Sequence, residues 1–201
     1  MSDPSAMLEL ILHRRSADSL VEPGPTRAQL DQMLRAAATV PDHGQLRPYR
    51  FAVIEGEGRG AFGDALARAA AERKPDAPRG AFDKMRSKAF RSPAIIAVIA
   101  SPKPGKIEPW EQHVTAACTG YAIVLAAHAL GVGAVWKSVP FTRGRALAEL
   151  LALADDEQML GWIHLGTVAG GAPTARPALD LAAVAIQIDG AGAAPYRPAG
   201  T

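Results

Sequence analysis

Strand-length apolar segments alternating with helical stretches predict a layered α/β or α+β domain, one sheet packed between helices. Two observations carry the prediction. The run Ala94–Ala100 shows no polar alternation, as expected of a strand covered on both faces. A long apolar helix, about residues 108–130, follows it and ends at Gly131 and Gly133. The 201 residues fit a single domain with a sizeable core. Sequence order alone leaves the strand order open.

The elements follow in chain order. Asp3-Pro4 offers an N-cap and a first helical position, opening a short helix that carries Met7, Leu8, Ile11 and Leu12 and ends at His13-Arg14-Arg15-Ser16. Glu22-Pro23-Gly24-Pro25 breaks the chain. Thr26 then caps a second helix whose Leu30, Met33, Leu34, Ala37 and Ala38 keep helical spacing. Two prolines make residues 41–48 a loop. Residues 51–54 read as a strand, residues 58–74 as an alanine-rich helix, and residues 81–88 as further helix. After Ala94–Ala100 and the long helix, residues 134–137 form a third strand, 143–153 a helix and 159–168 a fourth strand. One domain is expected over residues 1–172. The Ala-, Pro- and Gly-rich residues 173–201 are expected to be a tail, disordered or wrapped on a partner.

Composition excludes several classes. A net charge of +2 with scattered Lys and Arg gives no basic stripe for nucleic acid. A single cysteine, Cys118, allows no intramolecular disulfide and asks for no oxidising compartment. The start Met1-Ser2-Asp3-Pro4 has no signal-peptide character. The most apolar run, residues 114–130, is shorter than the ~20 residues that span a bilayer and is interrupted by Thr115, Thr119 and His128. It reads as a central core helix, with Cys118 a small core residue and His128 a core histidine. The expected location is the cytoplasm. The histidines at 13, 43, 113, 128 and 164 lack metal spacing, so no metal site is expected. There is no Gly-x-Gly-x-x-Gly fingerprint and no P-loop, and neither Ser16 nor Ser138 sits in a nucleophile elbow.

Three segments could carry chemistry. Arg14-Arg15-Ser16 stands at a helix C-terminus, where cations complement the dipole with no further purpose; two guanidiniums and a hydroxyl also suit a phosphomonoester. The loop of residues 41–48 holds His43 beside Gly44, which lets a planar ligand approach the backbone; an ordinary connection accounts for it equally. Residues 133–138 end a strand in Trp136-Lys137-Ser138, where sheet proteins often bind ligands; a core tryptophan and a solvated lysine are the plainer account.

Together these segments resemble the nitroreductase family, and in particular its short YdjA-type branch. The likeness rests on Arg14-Arg15-Ser16, the Pro41-Asp42-His43 loop closing in Arg47-Pro48-Tyr49-Arg50-Phe51, then Glu55-Gly56-Glu57-Gly58-Arg59, Trp110-Glu111-Gln112, Trp136-Lys137-Ser138 and Leu165-Gly166-Thr167. It runs from about residue 7 to residue 168. Arg47 and Tyr49 stand in place of the Gln and Trp of the commoner Gln-Pro-Trp form, and Gly44 where the YdjA type carries a lysine.

The resemblance implies an α+β, three-layer fold with a central, mostly antiparallel sheet between helices, dimeric, with one FMN in each of two interfacial pockets. It implies that Arg14, Arg15 and Ser16 hold the FMN phosphate and ribityl chain, and that Trp136, Lys137 and Ser138 line the ring. Thr39, His43 and Gly44 would approach from the partner subunit. A nicotinamide contact is implied at Ala126, Ala127, His128, Ala129, Leu130 and Gly131. The implied activity is FMN-dependent hydride transfer from NAD(P)H to an electron-poor acceptor, a nitroaromatic, a quinone or similar. Chemistry lies on the flavin, so no catalytic side chain is assigned beyond an electrostatic role for Lys137. A protein that stores or senses FMN without efficient turnover is the alternative, and an oxidoreductase with a specialised substrate a third reading.

Overall fold

The computed structural model describes residues 4–170, 176–190 and 192–199. Its contacts gather into two units, Met1–Gly171 and Ala172–Thr201.

The first unit is built on β5 (Gln158–Val168), which pairs on one side with β3 (Ala94–Ala100) and on the other with β4 (Gly133–Lys137) and the two-residue β1 (Leu20–Val21); β2 (Tyr49–Glu55) completes the sheet beyond β3. Every pairing is antiparallel. The unbroken apolar run of β3 has the physical cause expected of it, since each of its residues is at most 1% exposed. Ile95, Ala97 and Ile99 meet Phe62, Leu66, Leu147 and Trp162 on one face. Ala94, Ile96 and Val98 meet Leu30, Met33, Ile123 and Ala127 on the other. The first face is covered by α3 (Gly58–Arg73) and α6 (Arg145–Leu150), the second by α2 (Arg27–Ala37) and α5 (Pro109–Ala129). The result is a three-layer α+β sandwich around a mostly antiparallel sheet.

Local signals hold where side chains make them. Thr26 and Gln29 form a reciprocal capping box: the Gln29 N–H donates to the Thr26 hydroxyl at 3.2 Å, and the Thr26 N–H to Gln29 Oε1 at 2.9 Å. Two elements differ in extent. The helix expected over residues 143–153 shortens to α6, and the stretch near residues 81–88 becomes α4 (Arg79–Ser87) followed by a 3-10 turn, Lys88–Phe90. β1 was not expected, because two residues show no periodicity. The expected loop at residues 41–48 contains a 3-10 turn, His43–Gln45, made possible by Gly44 at φ 75° and braced by the Asp42 carboxylate, which accepts from the N–H groups of Leu46 and Arg47 at 3.2 and 2.7 Å.

The long helix corrects a larger expectation. α5 is buried along one side only, through Gln112, Thr115, Ala116, Thr119, Gly120, Ile123, Val124 and Ala127. Trp110 and Val114 are 66% and 53% exposed, and Tyr121 is exposed as well. Cys118 is exposed instead of lying in the core. His128 is only half-buried, in the last turn beside the basic end of α1 (Pro4–His13); burial, then Arg14, His13 and Arg15, push its pKa down. An outer-layer helix needs only one apolar stripe for its own core, so its other apolar residues are surplus to this chain's packing. The expected cap Asp3 lies outside the described residues.

The second unit holds short elements of its own. A 3-10 turn, Leu181–Ala183, is capped by the Asp180 carboxylate accepting from the Ala182 N–H at 3.0 Å. It precedes an antiparallel hairpin of β6 (Ile186–Asp189) and β7 (Gly192–Pro195).

Candidate functional site

The loop leaving α1 is tied to the sheet by the Ala17 N–H, which donates to the Ala134 carbonyl of β4 at 2.9 Å. That bond sets the loop beside β4, and Ser16 shares a recess with Val135 and Lys137 of that strand. The recess, of about 130 Å³, is lined by Ser16, Ala17, Asp18, Leu20, Arg91, Val135, Lys137 and His164. A neighbouring recess of about 250 Å³ shares Arg91, Lys137 and His164 and adds Lys88, Ser138 and Trp162. Ser16, Lys137 and Ser138, far apart in sequence, are thus brought together.

Trp136 is not with them. Alternation along β4 sends Lys137 to the recess and Trp136 to the opposite face, where its half-buried ring lies across Gly120 of α5 and close to Gly161 of β5. The plain reading of Trp136 as a packed aromatic therefore holds for its ring.

His164 is 1% exposed and forms part of the recess wall. The Trp162 indole N–H donates to its Nε2 at 2.8 Å, so the ring proton sits on Nδ1, which donates to the Ser92 hydroxyl oxygen at 2.7 Å; that hydroxyl donates onward to the Ala94 carbonyl at 2.8 Å. Burial, then the charges of Arg91 and Lys137, push the His164 pKa down to about 4. The imidazole is neutral at pH 7, so the recess gains its positive charge from Lys88, Arg91 and Lys137 alone, against one lining carboxylate, Asp18.

The helix-end reading of Arg15 is realised: its guanidinium donates back to the Leu12 and Arg14 carbonyls at 2.8 and 3.0 Å. Arg14 is half-buried and acts on His128.

Thr39, His43 and Gly44 lie apart from the Ser16–Lys137 recess. The Thr39 hydroxyl donates to the Ala36 carbonyl at 2.8 Å. His43 Nδ1 pairs with Glu111 Oε2 at 3.0 Å. His43 and Glu111 edge an apolar recess of about 260 Å³, walled by Ile107, Trp110, Val114 and Cys118. Of residues 126–131, Ala127 is sealed in the core, Ala126, His128 and Leu130 are half-buried, and Ala129 and Gly131 are exposed.

Sequence reasoning missed Lys88, Arg91 and His164 as site residues. His164 did carry a signal, a lone titratable group inside an apolar strand. Arg91 carried none, since its place depends on how the 3-10 turn meets β3. Among the described residues no cluster has the makings of a metal site, and no helix is long and apolar enough to cross a membrane.

A three-layer α+β domain of this kind is a fold that known proteins share. The chain belongs to the nitroreductase family: the family model so described matches residues 11–167. It is 40% identical over 161 residues to the "Putative NAD(P)H nitroreductase YdjA" of Escherichia coli strain K12, covering 80% of this chain and 87% of that protein. Among solved structures, a nitroreductase-like family protein from Bacillus cereus superposes with a TM-score of 0.80 at 24% identity, over 94% of this chain and 100% of the other. A mutant of the FMN and NADPH-dependent nitroreductase NfnB, from Sphigopyxis sp. strain HMH, superposes with a TM-score of 0.72 at 20% identity, over 89% and 97%.

Proposed function

We propose that this chain is an FMN-dependent oxidoreductase that passes a hydride from NAD(P)H, by way of the flavin, to an electron-poor acceptor such as a nitroaromatic or a quinone. The observation that carries the reading is the joining of Ser16 and Lys137 in one basic recess. Its donors, a hydroxyl, an ammonium and a guanidinium, suit a phosphomonoester. Arg14, Arg15 and Ser16 would hold the phosphate and ribityl chain, and Lys137 and Ser138 would line the ring, with Trp136 supporting that strand from behind.

FMN supplies the hydride chemistry when bound. Lys137 offers a fixed positive charge where negative charge develops. His164, neutral and hydrogen-bonded at both ring nitrogens, holds the wall beside it without adding charge. Of residues 126–131, only the exposed Ala129 and Gly131 and the partly covered Ala126, His128 and Leu130 could meet the nicotinamide.

The working unit is a homodimer. No residue of α1 is buried although it carries Met7, Leu8, Ile11 and Leu12, and α5 leaves Trp110, Val114 and Tyr121 uncovered. An apolar surface of that kind marks an interaction site, and a two-fold axis would cover the same patch on both copies. Thr39, His43 and Gly44 would then reach the flavin from the partner. Residues 173–201 are a segment suited to wrapping a partner, following a flavin domain of residues 1–172. We place the protein in the cytoplasm, since its fold needs no disulfide.

Anaerobic addition of NADH or NADPH to the flavin-loaded protein is expected to bleach the visible flavin absorption, and a quinone or nitroaromatic to restore it. Bound flavin that stays oxidised with both donors would overturn the enzyme in favour of a protein that stores or senses FMN.

A further inference from the structure

We propose that Arg91 is a phosphate-binding guanidinium of this site, an inference that rests on the FMN reading above. Arg91 lines both adjoining recesses, the one holding Ser16 and the one holding Lys88 and Ser138. Its backbone is held on either side. Its own N–H reaches the Lys88 carbonyl, and the next residue, Ser92, is 2% exposed, bonded by its hydroxyl to Ala94 and His164 and by its carbonyl to the Arg59 guanidinium at 2.9 Å. The arginine therefore projects from a fixed anchor. Its guanidinium forms no ion pair among the described residues, and neither do Lys88 and Lys137.

Three cations share these walls with Asp18 as the one lining carboxylate. Burial, then the charges of Arg91, Lys84 and Lys137, push the Lys88 ammonium down from its ordinary value. A dianion between them relieves that repulsion, and a planar fork of N–H donors matches two phosphate oxygens. Arg15, by contrast, has its guanidinium folded onto the Leu12 and Arg14 carbonyls. Arg91 lines the recess that holds Ser16, which Arg14 and Arg15 do not, so its fork would add to theirs.

Two phosphomonoesters share this chemistry, that of FMN and the 2′-phosphate of NADPH. The recess containing Ser16 assigns Arg91 to FMN. The test is fluorescence titration of the full-length chain, freed of flavin, with FMN and with riboflavin, which lacks the phosphate. The wild-type chain is expected to favour FMN. Arg91→Ala is expected to weaken FMN about tenfold or more, the value of a charge-assisted contact, while riboflavin changes by less than about twofold. Arg91→Lys, which keeps the charge but loses the fork, is expected to fall between, and it serves where Arg91→Ala does not fold. Unchanged FMN binding, or equal loss of FMN and riboflavin, would overturn the assignment. So would a loss confined to NADPH relative to NADH. A wild-type chain that takes up neither flavin would instead remove the FMN reading itself.

Discussion

Arg50→Met is expected to destabilise the fold by about 2–3 kcal/mol, measured as a lower urea midpoint at pH 7. Arg50 of β2 meets Glu157 in a two-pronged pair, Nε to Oε1 at 2.7 Å and Nη2 to Oε2 at 2.6 Å. The same Nη2 donates to the Leu151 and Ala152 carbonyls at 3.0 and 2.7 Å, and Glu157 also accepts from the Ala154 N–H at 3.0 Å. One guanidinium thus pins the connection between α6 and β5 to β2. The Glu157 side chain is 8% exposed, so removing its partner strands a buried charge. Such a loss costs about 3–5 kcal/mol when both groups are buried; Arg50 is 38% exposed, which lowers the expectation. Adding Glu157→Gln to Arg50→Met should recover part of the loss, because the stranded charge is gone.

The pair also predicts an acid limb. The Arg50 hydrogen bond leads the causes that hold the Glu157 carboxyl at about 2, below its ordinary 4.5. A depressed carboxylate stabilises the fold fully above the unfolded value and loses that contribution as pH falls through the folded one. Wild-type stability should therefore decline between about pH 4.5 and 2, and Arg50→Met should show a smaller decline across that window.

Gly120→Val is expected to cost about 1–3 kcal/mol by overpacking and to lower the flavin content of the purified protein. A Cβ on Gly120 would fall onto the Cη2 and Cζ3 atoms of the Trp136 ring. The ring cannot retreat along β5, where it already lies so close to Gly161 that a Cβ there would meet Nε1 at 2.5 Å. A rigid indole between two glycines has no flexible end to yield, so the strain passes to the backbone of β4 and to Lys137 and Ser138 on it. The check is the ratio of flavin to protein absorbance beside a thermal melt. Trp136→Phe, which is smaller, should keep more flavin than Gly120→Val; equal retention in all three proteins would separate Trp136 from the site.

How much was legible in the sequence followed from what each signal measures. β3 was legible residue by residue, because a strand sealed on both faces leaves an unbroken apolar run. The start of α2 was legible because Thr26 and Gln29 make their own hydrogen bonds. The length of α5 was legible but its surroundings were not: apolar residues on all sides look alike whether a core or a second chain covers them, so Cys118 and His128 were misplaced. The hairpin carried a signal, the alternation in Ile186-Gln187-Ile188, hidden by the surrounding Ala, Pro and Gly. At the site, resemblance singled out Ser16 and Lys137, while Arg91 reached them only through the fold. Strand pleating, invisible in a motif read as Trp136-Lys137-Ser138, set the tryptophan ring on the other face.

FMN is proposed to lie between two copies of this chain. Sedimentation velocity followed at both the protein and the visible flavin absorption tests it directly. Flavin is expected to sediment with a single species of twice the chain mass, and this species is expected to lose flavin when it dissociates on dilution. Flavin travelling with the single chain, or a dimer that carries none after incubation with FMN, would contradict it.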